Sequence, residues 1–387
     1  MDVNATNMTT GLCSDGVSAP DQDPTAAVFR DQTRFWVQRV LIPIVVPIGI
    51  LGNLATIVVM SRPRMRSSTS HYLAALAVFD LVYLGAVFTL SLTHYPSLSS
   101  SAAYWRGWPV WIAVTDTSSN TSIWLTVTFT VERYVAVCHP MRGKILCTES
   151  RAKRLIFFVM LICILITLPT MFEWEVCFKN GIFRPIMTQM GKSDLYRSVY
   201  YWTTALLFTL IPLILLVIFN SFLIQSVRYS STLRRTLTHR RDIATEGSSP
   251  SSQERKITIM LIAVVVLFLI CQLPTAIMLL ISIFFTPPEG SGDLAIQQGL
   301  GNIFNFLMTV NATGNFVLYS LLSQKYRRTF LQTFCPCLKG RMSRLRSVYQ
   351  NTIYSTVPES PQRPQRLISL QPLSAAAWSK SSQQDQP

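Results

Sequence analysis

The chain has 387 residues, 49% hydrophobic and only 14% charged, with 34 Lys and Arg against 19 Asp and Glu and a formal net charge of +15. Soluble globular domains carry nearer a quarter charged residues, so this balance argues against an ordinary soluble protein and for a membrane. The excess of basic residues by itself would suit nucleic acid, but a nucleic-acid binder spreads such residues over a polar surface. Here they fall between long apolar runs, so no nucleic-acid partner is expected.

In chain order, residues 1–36 read as a polar extracellular tail with glycosylation sequons at Asn4-Ala5-Thr6 and Asn7-Met8-Thr9. The tail lacks a basic n-region and an apolar h-region, so no cleavable signal peptide is expected, and the first apolar span acts as its own insertion signal. A bilayer core about 30 Å thick requires roughly 20 apolar residues at 1.5 Å rise. Seven stretches meet that length: Val37 to Met60, His71 to Leu92, Gly107 to Cys138, Leu155 to Phe172, Val199 to Ser226, Ile257 to Phe285 and Leu294 to Leu322. The predicted fold class is therefore all-α, an integral-membrane bundle of seven helices over residues 37–322. Polar residues in the second, third, fifth and seventh spans are expected to face the inside of the bundle.

Loop charge sets the orientation, because Lys and Arg stay on the cytoplasmic side. The segments after spans one, three, five and seven hold 3, 5, 7 and 10 basic residues against 6 acids, whereas the tail and the other loops hold 7 basic and 10 acidic. This predicts a multi-pass protein of the plasma membrane with its N-terminus outside. The basic inner face also suits anionic lipid.

After the last span, residues 323–337 place Tyr326, Phe330 and Phe334 at helical spacing, with Lys325, Arg327 and Arg328 off that stripe. They read as a short amphipathic eighth helix on the inner leaflet. Cys335 and Cys337 follow at membrane depth, which favours palmitoylation over a structural role. The inner-loop run Gly247-Ser248-Ser249-Pro250-Ser251-Ser252 and the cytoplasmic tail 338–387 read as disordered. Their serines and threonines, among them Ser355, Thr356 and Ser360, offer phosphorylation sites or serve only as linkers.

Marker residues within the spans narrow the class. Glu132-Arg133-Tyr134 closes span three and is followed by Val135-Ala136-Val137-Cys138-His139-Pro140. Gly52-Asn53 lies in span one, Leu76-Ala77-Val78-Phe79-Asp80 in span two and Pro212 in span five. Cys271-Gln272-Leu273-Pro274 lies in span six and Asn315-Phe316-Val317-Leu318-Tyr319 in span seven. From Val37 to Cys337 the chain resembles rhodopsin-like G-protein-coupled receptors, each motif falling in the right span in the right order.

The resemblance implies a receptor and not an enzyme, with Glu132, Arg133, Tyr134, Asn315 and Tyr319 in activation and G-protein coupling. Glu254, at the start of span six, stands where some relatives add a second carboxylate to Arg133; the alternative is a solvated residue in a charged run. Asp80 in mid-span needs compensation. Together with Ser122, Asn311 and Asn315 it is expected either to hold an allosteric sodium ion, as in the family, or to form a water-filled polar network; no other cofactor is expected.

Several departures from the family pattern stand out. Phe316 replaces the usual proline of span seven, although Gly314 still permits bending, Gln272 replaces a tryptophan and Asn220 a tyrosine. Cys-Gln-Leu-Pro with Asn-Phe-x-x-Tyr is similar to receptors for FMRFamide-related peptides, myosuppressin and insect sex peptide. Thr121-Ser122-Ile123-Trp124-Leu125-Thr126-Val127 also resembles thyrotropin-releasing-hormone receptors and orphan receptors sensing aromatic amino acids. Where most relatives have the span-three cysteine of a disulfide to the second outer loop, this chain has Trp108. Cys177 is present in that loop, and Cys13 is the candidate partner.

Small-amine receptors anchor an ammonium on a span-three aspartate, but that position is Thr115 here. Asp116 is rotated by about 100° and is expected to point toward a neighbouring helix and not down the pocket. Span seven lacks a lysine for a retinal Schiff base, the matching residue being Thr309. The expected ligand is an extracellular neuropeptide, with Trp111, Thr115, Asp116, Trp174, Trp202 and Gln272 as candidate contacts; an orphan or aromatic-amino-acid-sensing receptor is the alternative, with a biogenic-amine receptor disfavoured. A channel or transporter would show inverted repeats or broken mid-membrane segments, and neither is seen.

Overall fold

A computed structural model describes residues 23–95, 100–179, 182–238, 250–285, 287–288 and 290–334. Seven long helices carry the spans. The first four are Pro24–Met60, Ser68–Ser91, Ala102–Cys138 and Glu149–Thr167. The fifth, Asp194–Ser226, continues as helix to Thr238, and the sixth and seventh are Pro250–Phe284 and Gly292–Leu322. Five of these elements, spans one, two, four, five and six, are apolar enough by composition alone to cross a membrane. Spans three and seven are the ones loaded with Ser, Thr and Asn, which the bundle turns inward: Ser118, Thr121, Thr126, Thr130, Thr309, Asn311 and Asn315 are all buried. Large apolar residues such as Phe157, Phe158 and Leu165 on span four point outward instead, as a lipid-facing surface requires.

Helix ends differ from the predicted ones for local reasons. The helix that carries span one begins at Pro24, so residues 24–36, read from sequence as part of the tail, are helical. Asp23 Oδ1 accepts from Thr25 N at 2.9 Å, and Pro24 occupies the first turn, where its missing N–H costs nothing. This extension then packs on span seven, where Phe29 and Thr33 close over Gly299. Ser67 caps span two and Ser291 caps span seven, each accepting a backbone N–H at 3.2 Å. Span four stops at Thr167, before Pro169, and a single turn, Thr170–Glu173, follows.

The bundle is all-α as expected, and one short sheet lies in a connecting loop beside it. Residues Trp174–Lys179 (β1) and Ile182–Met187 (β2) form an antiparallel hairpin in the second outer loop, with Cys177 opposite Arg184. Alternating aromatic and β-branched residues here favour strand over helix, a short-range signal easily lost beside seven long apolar runs.

Close helix contacts explain the motif glycines. A Cβ on Gly52 would lie 2.7 Å from Phe316 Cγ, so span one admits the ring that replaces the usual span-seven proline. Span seven runs unbroken through Phe316. Gly314, expected to permit bending, instead receives Leu267 of span six against its bare backbone, 2.5 Å from an ideal Cβ.

The inner helix Gln324–Phe334 is present, but its aromatic stripe does more than lie on a leaflet. Tyr326 is completely buried, its hydroxyl 3.2 Å from Thr56 Oγ1, and its ring meets Tyr319 and Phe316 at centroid distances of 6.2 and 6.4 Å. Phe330 packs on both Phe316 and Tyr326, and only Phe334 at the end of the stripe is exposed. Span seven is thereby keyed to the inner helix through ring contacts and span one through the Thr56–Tyr326 hydrogen bond.

Candidate functional site

The functional residues occupy three levels of the bundle, joined by span three, from an inner end, named for the basic loops it carries, to the outer end opposite. At the inner end, Arg133 Nη2 donates to Glu132 Oε1 at 2.6 Å, and Ser68 Oγ of span two donates to the same oxygen at 2.6 Å. The pair is largely buried, with side-chain exposures of 17% for Arg133 and 9% for Glu132. The Arg133 guanidinium lies 5.9 Å from the Phe129 ring centroid, and its Nε is buried with no hydrogen-bond partner among the described residues. Such a charge is held only while its partner stays in place. Tyr134 turns the other way and packs between Phe219 and Phe222 of span five at 5.3 and 5.7 Å. In the adjoining inner loop Cys147 Sγ reaches Glu132 O at 3.6 Å, and burial with the nearby Glu132 carboxylate pushes its thiol up from the usual range.

At mid-bundle, Asp80 Oδ1 accepts from Ser122 Oγ at 2.9 Å and Oδ2 from Asn315 Nδ2 at 2.8 Å. Asn53 Nδ2 ties span one to this level by donating to Gly49 O and Ala312 O at 2.9 and 3.0 Å. The oxygens Asn311 Oδ1 and Asn315 Oδ1 and the Tyr319 hydroxyl are buried and lack partners among the described residues. Buried polar atoms left this way are rare and call for an occupant, water or ion. The four residues read as a sodium set are thus a carboxylate, a hydroxyl and two amides with unspent oxygens, a hard-oxygen donor set that fits a small cation.

At the outer end, a cavity of about 340 Å³ opens between spans three, four and five. Its walls include Asp116, Thr170, Glu173, Trp174, Tyr200 and Tyr201. Tyr201 donates to Glu173 Oε1, and the hydroxyls of Tyr200 and Thr170 are bonded at 2.7 Å. Of the six ligand contacts expected from sequence, Asp116 and Trp174 line this cavity. Asp116 therefore does not point away from the pocket, as its rotation from Thr115 suggested, because the neighbouring spans it faces leave this space between them. Thr115 bonds back to Trp111 O at 2.8 Å, Trp111 is exposed, and Trp202 packs edge-on against Phe284 at 5.5 Å. These three therefore lie apart from the cavity wall. Gln272 is buried in span six with Nε2 unpartnered among the described residues.

The loss of the span-three cysteine is answered by aromatic packing that sequence reasoning missed. Trp108 meets Trp174 edge-on at 5.9 Å and Trp105 at 6.0 Å, Trp105 stacks on Phe183 at 6.3 Å, and Phe183 meets Phe178 at 4.5 Å. This cluster clasps the outer hairpin to the top of span three. The signal was the crowding of Trp105, Trp108 and Trp111 at one end of span three, together with Trp174, Phe178 and Phe183 in the loop that follows span four. Cys177 is disulfide-bonded. Cys138, Cys147, Cys163 and Cys271 are free, so its partner lies outside the described residues, as does the expected Cys13. Asn4, Asn7, Cys335, Cys337 and the side chain of Glu254 also lie outside them.

A seven-helix membrane bundle with a buried Glu-Arg pair at its inner end, a polar centre and an outer cavity is the architecture of a transmembrane receptor. The family described as 7 transmembrane receptor (rhodopsin family) matches residues 52–319, and the chain belongs to that family, whose members are receptors and not enzymes. An FMRFamide receptor of Drosophila melanogaster is 30% identical over 336 residues, 81% of this chain and 56% of that protein. The chain thus spans a little over half the length of that relative. The thyrotropin-releasing hormone receptor of Homo sapiens is 27% identical over 344 residues, 83% of each chain. Sex peptide receptor-related protein 2 of Caenorhabditis elegans is 26% identical over 325 residues, 76% of this chain and 71% of that one.

Proposed function

We propose that the chain is a plasma-membrane receptor with its N-terminus outside, which binds an extracellular neuropeptide and promotes nucleotide exchange on a heterotrimeric G protein. The observation that carries this reading is the joining of the outer cavity and the inner Glu132–Arg133 pair by one helix, with the Asp80 network between them. A ligand that favours one packing of span three biases both ends, since it shifts the bundle by its difference in affinity for the two states. The names of the FMRFamide and sex-peptide relatives favour a peptide over a free amino acid, and the first of them an amidated one.

Asp80, Ser122, Asn311 and Asn315 would hold a sodium ion, whose positive charge would offset the Asp80 carboxylate and favour the closed packing. Cys13 is the partner we assign to Cys177, tethering the tail beside the outer hairpin, and Asn4 and Asn7 would carry glycans there. On the inner side, Cys335 and Cys337 would take palmitate, Glu254 would join Arg133, and the serine-rich segments would recruit receptor kinase and arrestin.

The test expresses the full chain in cells and compares amidated Arg-Phe peptides with free Trp and Phe in calcium and cAMP assays. A response to the peptides that disappears in Arg133→Ala at equal surface expression is expected. Activation by the free amino acids alone would move the chain to the alternative reading, and undiminished signalling by Arg133→Ala would refute the coupling mechanism.

A further inference from the structure

The outer cavity carries charge that its own residues leave unbalanced. Asp116 precedes Arg133 by 17 residues on span three, about 25 Å of helix, which places it well inside the bundle. Its side chain lines the cavity and receives no hydrogen bond from any described residue. The ion pairs among the described residues are Arg30–Asp31 and Glu132–Arg133, so no cation is bonded to it. An uncompensated carboxylate at such depth is costly, and a paired one is the rule.

A second carboxylate shares the cavity. Glu173 is buried on the wall of the same cavity and accepts a hydrogen bond from Tyr201. Arg197 forms no ion pair among the described residues, and its Nε is buried with no partner among them. The Tyr196 hydroxyl, stacked beside Tyr200 at 5.1 Å, is likewise a buried polar group left unpartnered. Two carboxylates thus stand against one incompletely engaged guanidinium, in a space walled by the rings of Trp174, Tyr200 and Tyr201.

We infer that this cavity receives a guanidinium group of the ligand, an arginine side chain lying between Asp116 and Glu173. A guanidinium suits the place better than an ammonium. Its five donors in a planar fork can bridge two carboxylates, and its face stacks on aromatic rings. The inference rests on the peptide-receptor reading and adds to it the chemistry of the residue that enters the bundle. It also separates this site from the span-three position used by small amines, because Thr115 bonds back to its own helix and Asp116 takes the charged role.

The experiment uses the full-length receptor in lipid nanodiscs with argininamide as the probe and thermal unfolding as a readout independent of signalling. Citrullinamide, the neutral isostere, and lysinamide are run beside it, on wild type, Asp116→Asn and Glu173→Gln. Argininamide is expected to raise the unfolding midpoint and citrullinamide to leave it unchanged. Each variant should raise the half-saturating argininamide concentration about ten- to a hundredfold, the range for losing a charge-assisted bond. In cells, replacing Arg by citrulline in Phe-Met-Arg-Phe-amide should cost wild type a similar factor and cost Asp116→Asn little. No midpoint shift in wild type, an equal shift with citrullinamide, or an undiminished response in both variants would overturn the proposal, and lysinamide matching argininamide would overturn the choice of guanidinium. Silence to every peptide with the argininamide shift intact would remove the peptide reading and leave the cation site standing.

Discussion

Gly52→Ala is the sharpest test of how span seven dispenses with its usual proline. An added Cβ would lie 2.7 Å from Phe316 Cγ and 2.8 Å from both Cβ and Cδ1. Ordinary carbon contacts begin near 3.5 Å, so the two helices must separate by most of an ångström. The atoms struck are the root of the side chain, not its flexible end, and Phe316 is also held by Tyr326 and Phe330. Overpacking of this kind costs about 1–3 kcal/mol. At about 2 °C per kcal/mol for a chain of this size, the apparent midpoint of unfolding in nanodiscs should fall by roughly 2–6 °C. The measurement is a double-mutant cycle with Phe316→Ala, in which Gly52→Ala should become nearly neutral. Equal destabilisation in both backgrounds, or none in the wild type, would refute the claim that Gly52 exists to admit Phe316.

Three further outcomes follow from the inner pair, the outer clasp and the polar centre. Glu132→Gln removes the charge that holds Arg133 and should raise ligand-independent nucleotide exchange in membranes, the bias of about 1–3 kcal/mol corresponding to roughly 5- to 150-fold in the closed-to-open equilibrium. Trp108→Ala deletes two aromatic contacts worth about 1–3 kcal/mol together and should lower both thermal stability and peptide potency, with Trp108→Phe restoring most of each. If the Asp80 network holds sodium, replacing sodium by a large organic cation should raise agonist potency in wild type and leave Asp80→Asn unchanged; equal salt responses in the two would remove the ion.

Much of the site was legible because its residues are costly where they stand. Asp80 lies in an apolar run and demands a partner, so sequence alone singled it out, and Ser122 and Asn315 do bond to it, whereas Glu132 and Arg133 were marked by their motif at the end of span three. Ser68 was not foreseen as a partner of Glu132, because a serine at a helix start is ordinarily a cap and nothing in span two signals its distance to span three. The aromatic clasp was missed for a similar reason. Tryptophans near the ends of spans commonly anchor the membrane interface, and only the packing of Trp108 on Trp174 shows that these hold a loop.

Spans, order and polar faces were fixed by the one-dimensional pattern, because a bilayer imposes length and apolarity on every helix separately. Tertiary structure decided what depends on distance between helices. It turned Gly52 and Gly314 into seats for Phe316 and Leu267, and it drew the amphipathic stripe of the inner helix into the core through Tyr326. It also set Asp116 and Glu173, 57 positions apart in the numbering, on the wall of one cavity. Side-chain charge is written in the sequence, but whether that charge meets a partner or an empty space is settled only when the helices pack.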